Sequence, residues 1–157
     1  MKKFYITTPI YYPSAKPHMG HAYSSIAADV IARFKKIQGY DVSFLTGTDE
    51  HGLKIQKAAQ KLNKDPQIFC DEISKTFVDL AKKLNLSHTD FIRTTEDRHK
   101  KTAQEIWKLL EQNDQIYLSK YAGWYSVSDE AYYSEDEIEE KDGQKLAISS
   151  GSKVEWM

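Results

Sequence analysis

Three short runs of the chain have the hydrophobic pattern of β-strands. The first, KFYITT at residues 3–8, is β-branched and aromatic and predicts a buried strand. DVSFLTGTD predicts a second strand that ends in a glycine-containing turn, and DFIRTT predicts a third, shorter strand. The segments between these runs have a longer period.

The first of these segments predicts an amphipathic helix. Its apolar residues recur at intervals of four, four and three, at Ile26, Val30, Phe34 and Ile37. This spacing predicts one apolar stripe that faces the core. Gly39 is a natural C-terminal stop. A second helix is predicted over HGLKIQKAAQKLN, after the second strand.

Two further helices are predicted on either side of the third strand. The first begins with Asp65 as its N-cap and Pro66 at its first helical position. Its apolar stripe consists of Phe69, Ile73, Phe77, Leu80 and Leu84. The second runs from about Glu96 to Gln112, with Thr94 or Thr95 as its cap.

Strands and helices therefore alternate, which is typical of an α/β fold with a parallel sheet. In such sheets ligands bind beyond the carboxyl ends of the strands. The loops that follow the first two strands are TTPIYYPSAKPHMGH and TGTDEHG. Both contain titratable residues that a plain connection does not need, so we expect the functional site in these loops.

The pattern changes near residue 115. From there the chain is rich in tyrosine, serine and acidic residues and has short β-like runs without a long helical stripe. We predict one domain over 1–114 and the beginning of a second, β-rich domain over 115–157. The run SEDEIEEKD is typical of a solvated surface. Because SKVEW predicts a strand just before the sequence stops, we expect the second domain to be truncated.

Composition adds few constraints. The chain has 157 residues, 40% of them hydrophobic and 29% charged, with a net charge of −1. This is ordinary globular composition, without the basic field that attracts a polyanion. The single cysteine, Cys70, excludes an internal disulfide, and we expect it in the core. The N-terminal apolar run is too short and too interrupted for a signal peptide or a membrane span, so we expect a cytoplasmic protein.

Two histidines, His18 and His21, lie where the first loop meets the first helix. A helix N-terminus favours anions through its unpaired N–H groups and its dipole, and Gly20 allows a ligand to approach the backbone. Imidazoles three residues apart share one face and can donate hydrogen bonds to phosphate oxygens in a transition state. The alternatives are surface or core histidines, or half of a metal site. The chain lacks an HExxH pattern and a nearby cysteine, so we expect no metal there.

PHMGH, at residues 17–21, resembles the HIGH signature of the class I aminoacyl-tRNA synthetases. The longer block FYITTPIYYPSAKPHMGHAYSSIAADVIARFKKIQGYDVSFLTGTDEHG resembles the N-terminal block of the methionyl-tRNA synthetases throughout its length. DFIRTTEDRHKK and GWYSVSDEAYYSEDEI are similar to later segments of that family. The resemblance implies the Rossmann-like first half of a class I catalytic domain, followed by the start of the family's small inserted connective domain.

The resemblance also implies an activity. Members of the family join methionine and ATP to give methionyl-adenylate, and then transfer the amino acid to tRNA(Met). His18 and His21 are implied as the catalytic residues that contact the ATP phosphates. Gly20 and His51 are implied in the ATP site, although His51 could simply open the helix that follows it.

For the methionine site, the resemblance implies Asp49, Ile10 and Tyr12. Asp49 would bind the α-ammonium group, for which a carboxylate has the right charge, or it would be only the N-cap of the following helix. Ile10 and Tyr12 would line the side-chain pocket, where an apolar residue and an aromatic ring suit a polarizable thioether, or they would only pack the loop. Leucine is commoner in the family at the position of Ile10.

The resemblance has limits in the second domain and beyond it. Zinc-binding members of the family have cysteines where this chain has Ser126 and Asp129, and no later cysteine follows, so we expect no structural zinc. We expect ATP with Mg²⁺ as its counter-ion, L-methionine, and no membrane. We expect tRNA to bind mostly through parts of the enzyme outside this chain. The family's second nucleotide-binding motif, KMSKS, is also absent from these residues. Two alternatives stay open: another nucleotidyl-transferring enzyme with HxGH histidines, and a non-catalytic synthetase-like binding module.

We predict that the 157-residue chain alone does not activate methionine. His18 and His21 offer one side of an ATP site, and in the family the KMSKS loop supplies positive groups on the other side. Proximity and preorganised charge provide most of the rate in such a reaction. Methionine-dependent ATP–pyrophosphate exchange by the chain should therefore stay at background, whereas a rate comparable to that of a complete synthetase would contradict the prediction.

Overall fold

The computed structural model describes all residues from Met1 to Met157. The chain forms two compact units, Met1–Trp107 and Lys108–Met157. None of the helices is long and apolar enough to cross a membrane. The domain boundary predicted near residue 115 stays a prediction, because the division by packing falls inside a helix that spans Asp97–Gln112.

A parallel three-stranded sheet forms the centre of the first unit. Its strands are β1 (Lys3–Thr7), β2 (Asp41–Thr48) and β3 (Asp90–Arg93), and they lie in the order β1-β2-β3. The predicted α/β class and the three predicted strands are confirmed. The prediction that the first strand is buried is wrong: β1 pairs only with β2, and its side chains alternate, with Tyr5 63% exposed.

Four helices alternate with or follow these strands along the chain: α1 (Met19–Ile37), α2 (Leu53–Lys61), α3 (Pro66–Lys83) and α4 (Asp97–Gln112). The predicted start of α3 is confirmed, because the Asp65 carboxylate accepts the amide N–H groups of Gln67 and Ile68 at 2.8 and 3.2 Å. The predicted threonine cap of α4 is wrong. The hydroxyl groups of Thr94 and Thr95 bind Glu50 instead of the helix.

The helix α1 packs on the sheet through small residues. Its buried residues are Ala22, Ser25, Ala28, Asp29 and Ala32. Ala28 and Ala32 lie against Val42 and Phe44 of β2 in one core cluster. The prediction that the apolar stripe of this helix faces the core is therefore wrong. Its residues are 45 to 85% exposed: Ile26, Val30, Phe34 and Ile37. This helix has apolar residues on more than one side, and alanines allow the closest approach to the sheet.

A second core cluster lies between α2 and α3. It consists of Ile55, Ala59, Phe69 and Cys70. Cys70 is only 1% exposed, which confirms its prediction as a core residue. Burial, with a smaller effect from nearby Glu50, raises the pKa of its thiol to about 11. The thiol is therefore protonated at neutral pH and is a poor nucleophile.

The second unit is rich in short antiparallel strands. β4 (Trp124–Ser126) lies between β5 (Ala131–Tyr133) and β8 (Glu155–Trp156), and β6 (Ile138–Lys141) pairs with β7 (Gln144–Ala147) in a hairpin. A 3₁₀ turn, Glu135–Glu137, and β6 contain most of the predicted acidic run, whose side chains are largely exposed. The β-rich character predicted from the sequence is confirmed.

Asp129 is the hub of a polar cluster in this unit. Its carboxylate accepts hydrogen bonds from the hydroxyl groups of Tyr133, Ser150 and Ser152 at 2.8, 2.6 and 2.8 Å, and its amide donates to the hydroxyl of buried Ser126 at 3.2 Å. These hydrogen bonds, that of Ser150 first, lower the pKa of Asp129 to about 2. No group of three or more His, Cys, Asp or Glu residues is arranged to hold a metal ion. The expectation of no structural zinc stays a prediction.

Candidate active site

The two loops named in the sequence analysis meet at the carboxyl ends of β1 and β2. After β1 the chain leaves the sheet and returns to it at Tyr11. The Tyr11 amide donates to the Gly47 carbonyl at 2.9 Å, and the Asp49 amide donates to the Tyr11 carbonyl at 2.8 Å. Tyr11 therefore extends the parallel ladder by one bridge and fixes the backbone of both loops at the same edge.

His18 and His21 cap α1 with their own side chains. His18 is the N-cap, and its Nδ1 accepts the Gly20 amide at 3.1 Å, while Nδ1 of His21 accepts the His18 amide at 3.0 Å. The two rings lie 3.9 Å apart, centre to centre. The pair thus performs the work of a capping box, and the structure brings together the two imidazoles that the sequence singled out.

The geometry around Gly20 explains why this position is a glycine. A Cβ atom at this position would lie 2.9 Å from Cε1 of His18 and 3.1 Å from its Nδ1. The glycine therefore leaves room for the imidazole that caps the helix, in addition to the access for a ligand that we predicted. A side chain at this position would force the His18 ring to shift.

His21 is partly buried, and its imidazole contacts two aromatic rings. Its ring lies 4.9 Å from Tyr11 and 5.1 Å from Phe77, with interplanar angles of 78° and 83°. Burial, followed by the neighbouring His18, lowers the pKa of His21. Both effects favour the neutral form of the imidazole, which can still donate and accept hydrogen bonds.

Asp49 has a carboxylate without a partner inside the chain. It directly follows β2, is partly buried, and its side chain makes no hydrogen bond or ion pair with another residue. The alternative that Asp49 caps the next helix is wrong, because α2 begins at Leu53 with Gly52 as its N-cap. A carboxylate that reaches solvent at a strand end, with no structural bond to keep, is free to bind a cation.

The carboxylate of the next residue, Glu50, is bonded on all sides within the chain. The sequence alone did not single out this residue. Its side chain is completely buried, and Arg93 binds it with Nε at 2.7 Å and Nη2 at 2.9 Å. The hydroxyl groups of Thr48, Ser74 and Thr95 donate to the same carboxylate. Burial by itself raises the pKa of Glu50, but the hydrogen bonds, that of Arg93 first, outweigh it and lower the pKa to about 2.

His51 lies on the outer side of this network. Its Nδ1 is 3.1 Å from Oγ1 of Thr94, which also accepts the Glu50 amide at 2.8 Å. The ring is exposed, and it does not open α2, which begins two residues later. The structure therefore places His51 at the same strand edge as Asp49, with one face available to a ligand.

Ile10 and Tyr12 differ in how firmly they are held. Ile10 is 39% exposed. Tyr12 packs against the second core cluster, and its hydroxyl donates to the His51 carbonyl at 2.7 Å. Tyr12 thus ties the first loop to the second, which goes beyond the simple loop packing that we considered.

The arrangement offers hydrogen-bond donors for an anion at α1 and, in the loops, an unpaired carboxylate and apolar surface.

The chain is similar to known proteins over most of its length. The family model described as tRNA synthetases class I (M) matches residues 4–146. Methionine–tRNA ligases of Listeria monocytogenes and Rickettsia prowazekii are 55% and 56% identical over 97% and 98% of this chain. A structure of Mycobacterium tuberculosis methionyl-tRNA synthetase in complex with methionyl-adenylate has a TM-score of 0.94 and 45% identity over 100% of the chain.

The chain belongs to the class I tRNA synthetases. Within that class it falls in the group that contains the methionine enzymes, as the resemblance in its sequence indicated. The chain spans between 24 and 31% of the length of the three relatives named above.

We predict that Glu50→Gln lowers the free energy of unfolding by about 2 kcal/mol at pH 7, since an amide lacks the charge that the buried carboxylate offers to Arg93, which keeps only its more exposed partner Asp71. The folded-state pKa of Glu50 is lowered from 4.5 to about 2. Its stabilisation is therefore complete above about pH 4.5 and is lost as the pH falls towards 2. Urea titrations of both proteins at several pH values should show the difference shrinking over that range.

The matched control is Glu72→Gln. Glu72 forms an exposed ion pair with Lys64, and such pairs contribute about 1 kcal/mol or less. If Glu50→Gln is no more destabilising than this control at pH 7, the buried pair does not hold the strand ends.

Proposed function

We propose that this chain supplies the amino-acid and ATP site of an enzyme that activates methionine. The reaction joins the methionine carboxylate to the α-phosphate of ATP, releases pyrophosphate, and is followed by transfer of the amino acid to tRNA(Met). The observation that supports the proposal best is the match over the whole chain to a synthetase in complex with methionyl-adenylate. The complete gene product would work in the cytoplasm.

The N-terminus of α1 suits the ATP phosphates. His18 and His21 use Nδ1 for the capping hydrogen bonds, so each ring has Nε2 left for a ligand. These donors add to the positive end of the helix dipole. Donors that are already in place as charge develops on the α-phosphate lower the barrier without reorganisation. Gly20 contributes by leaving room for the His18 ring, and His51 would contact the nucleotide from the second loop.

Asp49 suits the α-ammonium group of methionine. Its carboxylate has no bond within the chain to give up, so pairing with an ammonium group gains a charge-assisted hydrogen bond without breaking another. The ring of Tyr12 and the exposed side chain of Ile10 would contact the thioether. The hydroxyl of Tyr12 is already bound to the backbone of His51, which would leave the ring as the contact surface.

Mg²⁺ and tRNA(Met) complete the proposal. The chain has no group of three or more acidic, histidine or cysteine side chains arranged for a metal. Mg²⁺ would therefore arrive bound to the ATP phosphates. A net charge of −1 does not provide the basic field that tRNA needs, so tRNA would bind mainly through other parts of the gene product.

The direct test is ATP–pyrophosphate exchange by the complete gene product, with each amino acid supplied in turn. Exchange that depends on methionine alone is the expected result. Exchange with a different amino acid would refute the assigned substrate, and no exchange with any of them would refute the assigned reaction.

We predict that His21→Asn slows adenylate formation by roughly 100- to 1,000-fold. ATP affinity should change little, because only an interaction that is stronger in the transition state accelerates chemistry. Pre-steady-state measurement with the complete gene product separates the two quantities. His99→Asn, a histidine on α4, is the control and should behave as wild type. Equal losses in ATP binding and rate in His21→Asn would rule out the proposed role.

We predict that Asp49→Ala weakens methionine binding by roughly 10- to 100-fold, since a hydrogen bond to a charged group contributes about 1.5–3 kcal/mol. Asp49→Asn should recover little, because an amide lacks the charge. Calorimetric titration with methionine measures both. Asp41→Asn, at the exposed opposite end of β2, is the charge-matched control. Unchanged methionine affinity in both Asp49 variants would show that this carboxylate is not the ammonium partner.

A further inference from the structure

Tyr11 is a buried residue that has no role in the function proposed so far. It is 7% exposed, and its hydroxyl lies 2.7 Å from Oγ of Ser25 and 3.0 Å from Oγ of Ser24. The hydroxyl also donates to the His21 carbonyl at 3.3 Å. All three partners belong to the first turns of α1, so the end of this side chain is fixed by the helix that carries the histidine pair.

The ring of Tyr11 is held equally firmly. It stacks on Phe77 of α3 at 5.5 Å with an interplanar angle of 17°. His21 meets both rings by edge contacts at 4.9 and 5.1 Å. The imidazole therefore packs edge-on against two stacked aromatic rings that come from different parts of the fold. Such a contact restricts the rotation of the imidazole about its χ angles, which the capping hydrogen bond alone does not do.

The hydrogen bonds of His21 also specify where its proton lies. Because the His18 amide donates to Nδ1 of His21, that nitrogen has no proton. The proton of the neutral ring is therefore on Nε2. No residue of the chain accepts from Nε2, which leaves it available for a ligand. If the ring rotated or exchanged tautomer, a lone pair instead of an N–H would face an incoming phosphate oxygen.

We propose that Tyr11 is a positioning residue for His21, whose ring, stacked on Phe77, keeps the imidazole in the rotamer and tautomer that presents Nε2–H to the ATP phosphates. This inference rests on the proposed function for its consequence in catalysis. Its structural part, the fixed tautomer of His21, does not depend on that function.

The two links made by Tyr11 can be separated by mutation. Its backbone joins Gly47 and Asp49, and these bonds survive any change of side chain. Its side chain alone contacts His21 and α1. A side-chain variant therefore tests the imidazole contact and leaves the ladder that carries Asp49 in place.

The first arm of the test measures the tautomer by ¹⁵N NMR of the imidazole nitrogens in the 157-residue chain, which has only five histidines. In wild type, His21 should show an unprotonated Nδ1 and a protonated Nε2. Tyr11→Phe keeps the ring and should retain this pattern, whereas Tyr11→Leu should give shifts averaged between the tautomers. Averaged shifts in wild type, or an unchanged pattern in Tyr11→Leu, would overturn the proposal.

The control and the reserve variant use other aromatic residues. Tyr40→Leu removes a tyrosine that packs against Phe4 beyond the C-terminal end of α1, so it should leave the His21 signals unchanged. If Tyr11→Leu does not fold, Phe77→Leu removes the stacking partner and keeps the Tyr11 hydroxyl bonds. The His21 shifts of Phe77→Leu should then be averaged, and an unchanged pattern would overturn the proposal in the same way.

The second arm measures ATP–pyrophosphate exchange in the complete gene product. Tyr11→Leu should lower kcat by roughly 10- to 100-fold, as expected for a misplaced catalytic group, with the KM for ATP nearly unchanged. Tyr11→Phe should recover most of kcat, and Tyr40→Leu should match wild type. An equal loss of kcat in Tyr11→Leu and Tyr40→Leu would show that Tyr11 contributes only to packing, and it would overturn the proposal. Absence of exchange in wild type would refute the proposed function, while the NMR arm would still decide the positioning of His21.

Discussion

The arrangement of the site depends on one buried carboxylate. Glu50 accepts two hydrogen bonds from Arg93 and one each from Thr48, Ser74 and Thr95. These partners come from β2, α3, β3 and the turn after β3, so a single side chain joins the ends of two parallel strands to a helix. An unpaired charge at this depth would be strongly destabilising. The satisfied network therefore stabilises the first unit, and it fixes the segment that carries Asp49 and His51.

The same constraint explains why two adjacent carboxylates differ. Glu50 is buried because five hydrogen bonds satisfy its charge, whereas Asp49, which has no such partners, stays only partly buried. Tyr11 then joins this segment to the first loop through the Asp49 amide, while its ring lies against His21. The cation-binding and anion-binding ends of the proposed site are thus connected through one residue, with the free carboxylate and the imidazoles left for substrates.

Much of this architecture could be predicted from local sequence. The strand–helix alternation, the Asp65–Pro66 helix start and the position of His18 and His21 depend on neighbours in the chain, and local patterns reveal such features. The core-facing side of α1 could not be predicted in the same way. That helix has large apolar residues on one side and alanines on another, and the sheet selects the alanines because they allow close packing. Likewise, nothing in TGTDEHG distinguishes Asp49 from Glu50, because the partner that decides between them, Arg93, is 43 residues away.

The most direct test is a crystal structure of the complete gene product with a non-hydrolysable methionyl-adenylate analogue. We expect a carboxylate oxygen of Asp49 about 3 Å from the α-ammonium nitrogen. We also expect Nε2 of His18 or His21 within hydrogen-bond distance of the phosphate or its isostere, with Glu50 still bound to Arg93. An ammonium group bound by Glu50, or imidazoles turned away from the phosphate with Asp49 unpaired, would contradict the proposed site.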